Sequence, residues 1–500
     1  MHSLIIRDVA IYDGLGNAPV HGDVAVDGDT ISAVGSVAST ARETIDGKGL
    51  SLAPGFIDVH THDDFAAVLH SDMGFKSAGG VTTCVVGNCG MGAAPWEPAM
   101  RMALAMHPQG LPRWEGYRSY LALLERQPPG VNIAALIGHG TVRLGAMSTD
   151  ARAPSAAEMQ AMKDSVSEGL EAGAVGLSSG LIYDPGRHAQ TDELVELASL
   201  MAGTGALYAT HMRDEGAGLL DSVNEAIAIG ERAKVPVQIS HHKASGRAAW
   251  GLVTQSLALI EAAQARGLDV HADQYPYTAG STILSAVFRD GALGGKGVGT
   301  LPAECVVIAS AASHTDWEGR SMAELAATMG CTAEEAATRV LAAEPGATVI
   351  VHTMCEDDVR TVMRHPSTMI GSDGLPTLKG KPHPRLYGTF ARVLGHYARD
   401  EGVLPLADAV WRMTGFAARK FGFRDRGVVR EGMKADLVLF DAGTIIDCGT
   451  FDDPHRAPKG VVSVFVNGKL AAHNGKPTDA RAGRVLRRKR PSASHRQVET

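Results

Sequence analysis

The chain has 500 residues, of which 45% are apolar and 20% charged, and a net charge of −8. This composition belongs to a soluble globular protein with room for more than one domain, and it excludes a disordered, fibrous or low-complexity chain. The acidic balance offers no general attraction for nucleic acid or an anionic membrane, and no apolar run is long enough for a transmembrane helix.

Met1-His2-Ser3 leads straight into a strand pattern, without the basic region, apolar core and cleavage site of a signal peptide. The six cysteines are few and scattered, which argues against a disulfide framework and for a reducing cytoplasm. Residues 4–50 alternate in short apolar runs broken by Gly14, Gly16 and the Asp27-Gly28-Asp29 turn, as antiparallel strands and hairpins do. Similar runs return at 435–440 and 461–468. The two ends, 1–53 and 425–478, therefore predict one small β-sandwich domain.

Between them, residues 54–424 repeat strand then helix. Eight strand-like runs can be marked at 55–60, 81–87, 131–138, 174–179, 206–211, 235–241, 268–274 and 368–373. Helical periodicity fills most gaps, as at 155–172 and 219–233. This alternation predicts an α/β fold with a parallel sheet, and eight units predict a (β/α)8 barrel of TIM type. The seventh gap, 275–367, is far longer than the sixth, 242–267. It predicts an inserted, lid-like subdomain at about 286–346, entered through a mobile loop at 291–299. The tail, 479–500, has no apolar period and reads as extended. Its basic run Arg487-Arg488-Lys489-Arg490 lacks interleaved aromatics and reads as solvated rather than as a nucleic-acid patch.

The chemistry-bearing residues fall where these strands end. His60-Thr61-His62 closes the first strand, where residues i and i+2 face one side, so two imidazoles converge as a metal site requires. His211 ends the fifth strand, His241 the sixth and Asp373 the eighth. All lie at the strand C-terminal end, which is the active face of such barrels. A buried carboxylate such as Asp373 needs a partner, and a metal with water is a suitable one.

This pattern resembles the amidohydrolase superfamily over roughly residues 1–475. Many members carry a carboxylated lysine on strand four that bridges two metals. The fourth strand here ends Gly176-Leu177-Ser178-Ser179-Gly180, with no lysine. The second strand instead ends in Asn88-Cys89-Gly90, which is similar to the N-acyl-D-amino-acid deacylase (D-aminoacylase) family, where a cysteine thiolate takes the bridging place. Further similar segments are 181–186, 241–243, 275–279, 372–376 and 382–390. The resemblance implies zinc-dependent hydrolysis of the amide bond of N-acyl-D-amino acids. Cys89, His211 and His241 would form one tight Zn2+ site, and His60, His62 and Asp373 a second, weaker one. Sulfur and nitrogen ligands suit zinc. Asp373 would serve as general base and acid, and Tyr183 is the candidate oxyanion donor. The substrate carboxylate needs a cation and hydroxyls, for which Lys243, Tyr275 and Tyr277 are candidates, while Arg289 could meet an acidic side chain. The expected partner is thus a small-molecule N-acyl amino acid. A cyclic-amide hydrolase of the dihydropyrimidinase or hydantoinase kind is the alternative, although these usually carry the strand-four lysine. A metal-free scaffold is another, although such relatives normally lose several ligands.

Overall fold

The computed structural model describes residues 1–103, 110–295 and 297–488. Eight parallel strands form the barrel in chain order: Phe56–Asp58, Val81–Val86, Asn132–Gly138, Gly176–Gly180, Leu207–His211, Val237–Ile239, Val270–Gln274 and Thr368–Ile370. Each overlaps one of the eight predicted runs. The strands are almost wholly buried because helices cover their outer side, which is why they read as continuous apolar runs rather than alternating ones. Between the last and first strands the ring closes through the residues that follow them: Asp373 N–H donates to His60 O at 2.8 Å, and Thr61 pairs with Gly374.

The outer helices follow the sequence signals. Ala156–Ala172 starts at Ser155, whose hydroxyl accepts from Glu158 N–H in a capping box, and stops at Gly173, whose φ of +100° continues the chain without a Cβ clash. The termini together build one nine-stranded sheet, in which Leu52 of the Ser51–Pro54 strand pairs with Leu439 of Leu437–Phe440. Alternation divides its faces: Leu4, Ile6, Leu437 and Leu439 enter one apolar cluster, and Ile5 and Ala25 another.

The segment after the seventh strand forms its own three-stranded antiparallel sheet of Gly280–Ile283, Thr348–Val351 and Val306–Ser310, with helices Met322–Met329 and Ala333–Ala343. Its core contains Leu284, Val306, Ile308, Met322 and Val340. The sheet uses strands on both sides of the expected 286–346, because Gly280–Ile283 and Thr348–Val351 pair with each other and close the unit. The 291–299 stretch, expected as a mobile loop, is largely hairpin: Phe288–Arg289, Ala292–Gly295 and Gly299–Thr300 pair in turn. Its glycines supply the positive φ that the hairpin backbone takes.

The start of the tail also departs from expectation. Residues 481–488 are extended but lie against the barrel, where Leu486 N–H donates to Ile133 O at 2.7 Å. Arg487 and Arg488 are partly buried rather than fully solvated. They donate to the carbonyls of Ala172 and Leu170 at the C-terminal end of the Ala156–Ala172 helix, where unpaired carbonyls attract cations. Lys489 and Arg490 lie outside the described residues. Among the described residues no helix is long and apolar enough to cross a membrane.

Candidate metal centre

His60 and His62 follow the first strand, and both side chains enter the barrel mouth from the same side, as their spacing requires. Cys89 reaches them from a turn after the second strand. That turn is clamped by the fourth strand. Ser178 Oγ accepts from Gly90 N–H at 3.0 Å and donates to Gly87 O, and Gly180 lies so close that a Cβ there would stand 2.1 Å from Cys89 O. The fourth strand thus seats the thiol from beneath, and the residue types that replace the expected lysine have a mechanical reason.

The structure brings the ligand-type side chains into two overlapping, buried groups: Cys89, His211 and His241, and His60, His62, Cys89 and Asp373. Cys89 Sγ lies 3.5 Å from His241 Nε2, 3.7 Å from His211 Nδ1 and 3.3 Å from His60 Nε2. Tetrahedral zinc with ordinary Zn–S and Zn–N bonds sets its sulfur and nitrogen ligands about 3.6 Å apart. The first two distances are compatible with a shared metal. His62 Nδ1 and His211 Nε2 are buried without hydrogen-bond partners. Cys89, His241 and Asp373 all have positive φ, at +53°, +35° and +50°. Such backbone is costly for non-glycine residues and persists where the surroundings enforce it, as at functional sites.

The electrostatics match the geometry. Burial raises the Cys89 thiol, but the imidazoles of His60 and His241, with hydrogen bonding from His211 and His241, outweigh it and hold the thiol well below its ordinary value. Burial likewise raises the Asp373 carboxyl, and Arg385, His60 and His241 drive it well below the usual carboxylate range. Both shifts favour the anionic forms, which a cation would bind.

A second layer fixes the first. Asp273, at the end of the seventh strand, faces His60 Nδ1 at 3.2 Å and accepts from His241 N–H at 2.7 Å and from Gln238 Nε2 at 2.8 Å. Glu215 stands 3.0 Å from His241 Nδ1 and 3.6 Å from His211 Nε2. Such carboxylate–histidine pairs fix the tautomer and orientation of metal-binding imidazoles. Glu215 and Asp273 were not singled out from sequence. For Glu215 the available signal was its place four residues beyond His211, and for Asp273 its place at a strand end.

The remaining expected residues divide. Tyr183 packs edge-on against His211 at 5.0 Å between ring centroids, and its hydroxyl is 3.0 Å from Thr282 Oγ1. Lys243 and Tyr275 line the cavity beside His241 and Asp373, with the Lys243 ammonium 5.8 Å from the Tyr275 ring. Arg385, missed from sequence although it sits within 382–390, is buried behind Tyr275. It binds Asp373 Oδ2 at 2.9 Å, and its Nε and Nη1 have no partner. One expectation needs correction. Tyr277 points away from the site: its hydroxyl faces Asp447 at 3.4 Å and its ring lies under Arg392, because the chain turns after the seventh strand. Arg289 lies outside the ligand cluster, in a groove it lines with Tyr183 and Ile283, and its Nη2 donates to Ile182 O.

The chain is similar to several known proteins. A model of the amidohydrolase family matches residues 43–256 and 249–472. The D-aminoacylase of Alcaligenes xylosoxydans xylosoxydans is 41% identical, covering 97% of both chains. The N-acyl-D-glutamate deacylase of the same organism is also 41% identical, over 97% of this chain and 96% of that one. A crystal structure of the N-acyl-D-glutamate deacylase of Bordetella bronchiseptica, complexed with zinc and a phosphonate inhibitor that mimics the tetrahedral intermediate, is 40% identical. It covers 97% of this chain and 99% of that chain with a TM-score of 0.89. The chain belongs to the amidohydrolase family and, within it, to the D-aminoacylases.

Proposed function

We infer that the protein hydrolyses N-acyl-D-amino acids to a carboxylate and a free D-amino acid, with zinc as its metal. The observation that carries this reading is the buried Cys89–His211–His241 group, a sulfur and nitrogen donor set at zinc-ligand spacing in a chain so similar to D-aminoacylase over nearly its whole length. These three would hold the tight ion, and His60, His62 and Asp373 a second, weaker one. A zinc ion bound there polarises the amide carbonyl and makes water a nucleophile near neutral pH.

The side chains supply the rest. Asp373 Oδ2 is held by Arg385, which leaves Oδ1, on the histidine side, to take a proton from the attacking water and deliver it to the leaving nitrogen. Tyr183, beside His211, donates to the developing oxyanion. Lys243, Tyr275 and the unpartnered donors of Arg385 form a cationic corner for the α-carboxylate. The inserted unit contributes Val287, Val298, Leu301 and Val351 to the cavity and serves as its lid. The cyclic-amide alternative loses ground, because Ser178 and Gly180 occupy the fourth strand with the Cys89 turn.

The test is a screen of purified zinc-loaded enzyme against acetyl, formyl and longer acyl derivatives of D- and L-amino acids, with cyclic amides included. Turnover of the D-series is expected. Turnover of cyclic amides alone would reverse the assignment.

A further inference from the structure

The barrel has one seam that strand pairing does not close. Its ladder runs from Phe56–Asp58 round to Thr368–Ile370, and among the described residues these first and last strands do not pair with each other. His211 and His241 end or follow strands that pair directly. His60 and His62 follow the first strand and Asp373 the last, so these three face one another across the seam. Asp373 Oδ1 stands 3.4 Å from His60 Nε2 and 3.2 Å from His62 Nε2. Gly371 permits the approach, since a Cβ there would stand 2.7 Å from His60 Cβ.

A network of buried side chains spans this seam. Asp58, which ends the first strand, accepts from Ser372 N–H at 2.8 Å through Oδ1 and from the Ser372 hydroxyl at 2.6 Å through Oδ2. Lys76, from the helix Gly74–Ser77, donates to Asp58 Oδ2 at 2.9 Å and to Ser372 Oγ at 3.1 Å, and its ammonium lies 3.2 Å from Asp63 Oδ2. Lys76, Asp58, Asp63 and Ser372 are all buried. Burial alone would lower the Lys76 ammonium, but Asp58 and Asp63 outweigh it and hold it above its ordinary value.

The acceptors of Lys76 bracket the ligands. Asp58 and Asp63 lie on either side of His60 and His62 in the chain, and Ser372 precedes Asp373. A buried ion network adds little stability over well-packed apolar residues. What an ammonium with three donors adds is a fixed arrangement of the groups around it. We propose that Lys76 is a positioning residue for the reaction, which holds Asp58, Asp63 and Ser372 together across the seam and so sets Asp373 at its distance from His60 and His62. This role rests on Asp373 as the proton acceptor of the reading above.

The test is a double-mutant cycle on kcat with zinc-loaded protein, Lys76→Met being made in the native chain and in Asp373→Asn. In the native chain it should lower kcat about 10–100-fold and leave KM unchanged, as loss of a residue that orients a metal site does. In Asp373→Asn it should cost no more than about twofold, because the group it positions is gone. Zinc titration of the metal-free protein reads the same effect without turnover. The tight ion of Cys89, His211 and His241 should bind as in the native protein, and a second ion on His60, His62 and Asp373 about 10–100-fold more weakly. Lys76→Met leaves two buried carboxylates without their cation. Lys76→Met with Asp63→Asn removes one charge of each sign and carries the same comparisons if the single variant does not fold. A native kcat in a folded variant overturns the proposal, as does an equal loss with and without Asp373, or loss of the tight ion. Failure of both variants to fold also overturns it, by confining Lys76 to the stability of the barrel. A native enzyme inactive on every N-acyl-D-amino acid would instead overturn the deacylase reading, and the zinc titration would still decide the role of Lys76.

Discussion

The Lys243 ammonium donates to the Glu215 carboxylate at 2.6 Å, inside the site and beside His241. Lys243 therefore already has one carboxylate partner when the substrate carboxylate arrives. It is one side of a buried pair whose carboxylate also orients two of the imidazoles, and the Lys243 charge helps keep Glu215 ionised against its burial. Loss of either partner should therefore be felt at the metal.

Glu215→Gln should weaken the tightly held zinc about 10–100-fold, the usual effect of losing an outer carboxylate that orients ligand histidines. Competition with a chromogenic chelator measures this without any turnover. An unchanged dissociation constant would mean that the barrel backbone alone orients His211 and His241.

Lys243→Ala should depress kcat/KM strongly for N-acyl-D-amino acids and much less for the same compounds with the carboxylate amidated, which the native enzyme should already handle poorly. The two substrates and two proteins form a double-mutant cycle. Equal losses on acid and amide would confine Lys243 to supporting Glu215.

Cys89→Ala should remove the tight zinc and nearly all activity, because the thiolate supplies both a negative charge and a strong metal bond. Metal analysis after dialysis, alongside an activity assay, decides the matter. Near-normal zinc content and turnover would exclude Cys89 as a ligand.

Asp373→Asn should keep the Cys89-site metal and lose about 10²–10⁴ in rate with the proton acceptor. Zinc content and kcat measured on one preparation separate the two effects. An unchanged kcat would assign the proton to another group.

Lys420 should give a stability signature remote from catalysis. Burial lowers its ammonium to about 8 from an ordinary 10.5, despite a 2.6 Å bond to Asp269. Below about pH 8 the folded chain bears the full cost of a buried charge. Between about pH 8 and 10.5 the unfolded chain keeps a proton that the folded chain has lost, so stability contributed by this group rises with pH. Lys420→Met should flatten that rise and stabilise the protein at pH 7, by at most about 3 kcal/mol. Thermal unfolding at pH 7 and pH 10 reads both effects, and a lower Tm at pH 7 would show that the Asp269 contact outweighs the burial.

The residues that could be named from sequence are those whose position follows from short-range periodicity. His60 and His62 share a face because a strand alternates every two residues, and His211 and Asp373 lie at the mouth because they end or follow apolar runs buried on both sides. Cys89 needed the further fact that the fourth strand lacks a lysine. Folding decided what periodicity cannot reach. Asp273 meets His60 across more than two hundred residues of chain, Arg385 reaches Asp373 only because its helix packs over the eighth strand end, and Glu215 pairs with Lys243 across neighbouring loops. Tyr277 illustrates the converse: two residues from Tyr275 in sequence, it faces Asp447 because the chain leaves the strand and alternation no longer sets its direction. Strand ends are local properties of the chain, whereas the partners that orient, charge and enclose the ligands are contacts between distant segments, and these exist only once the barrel has closed.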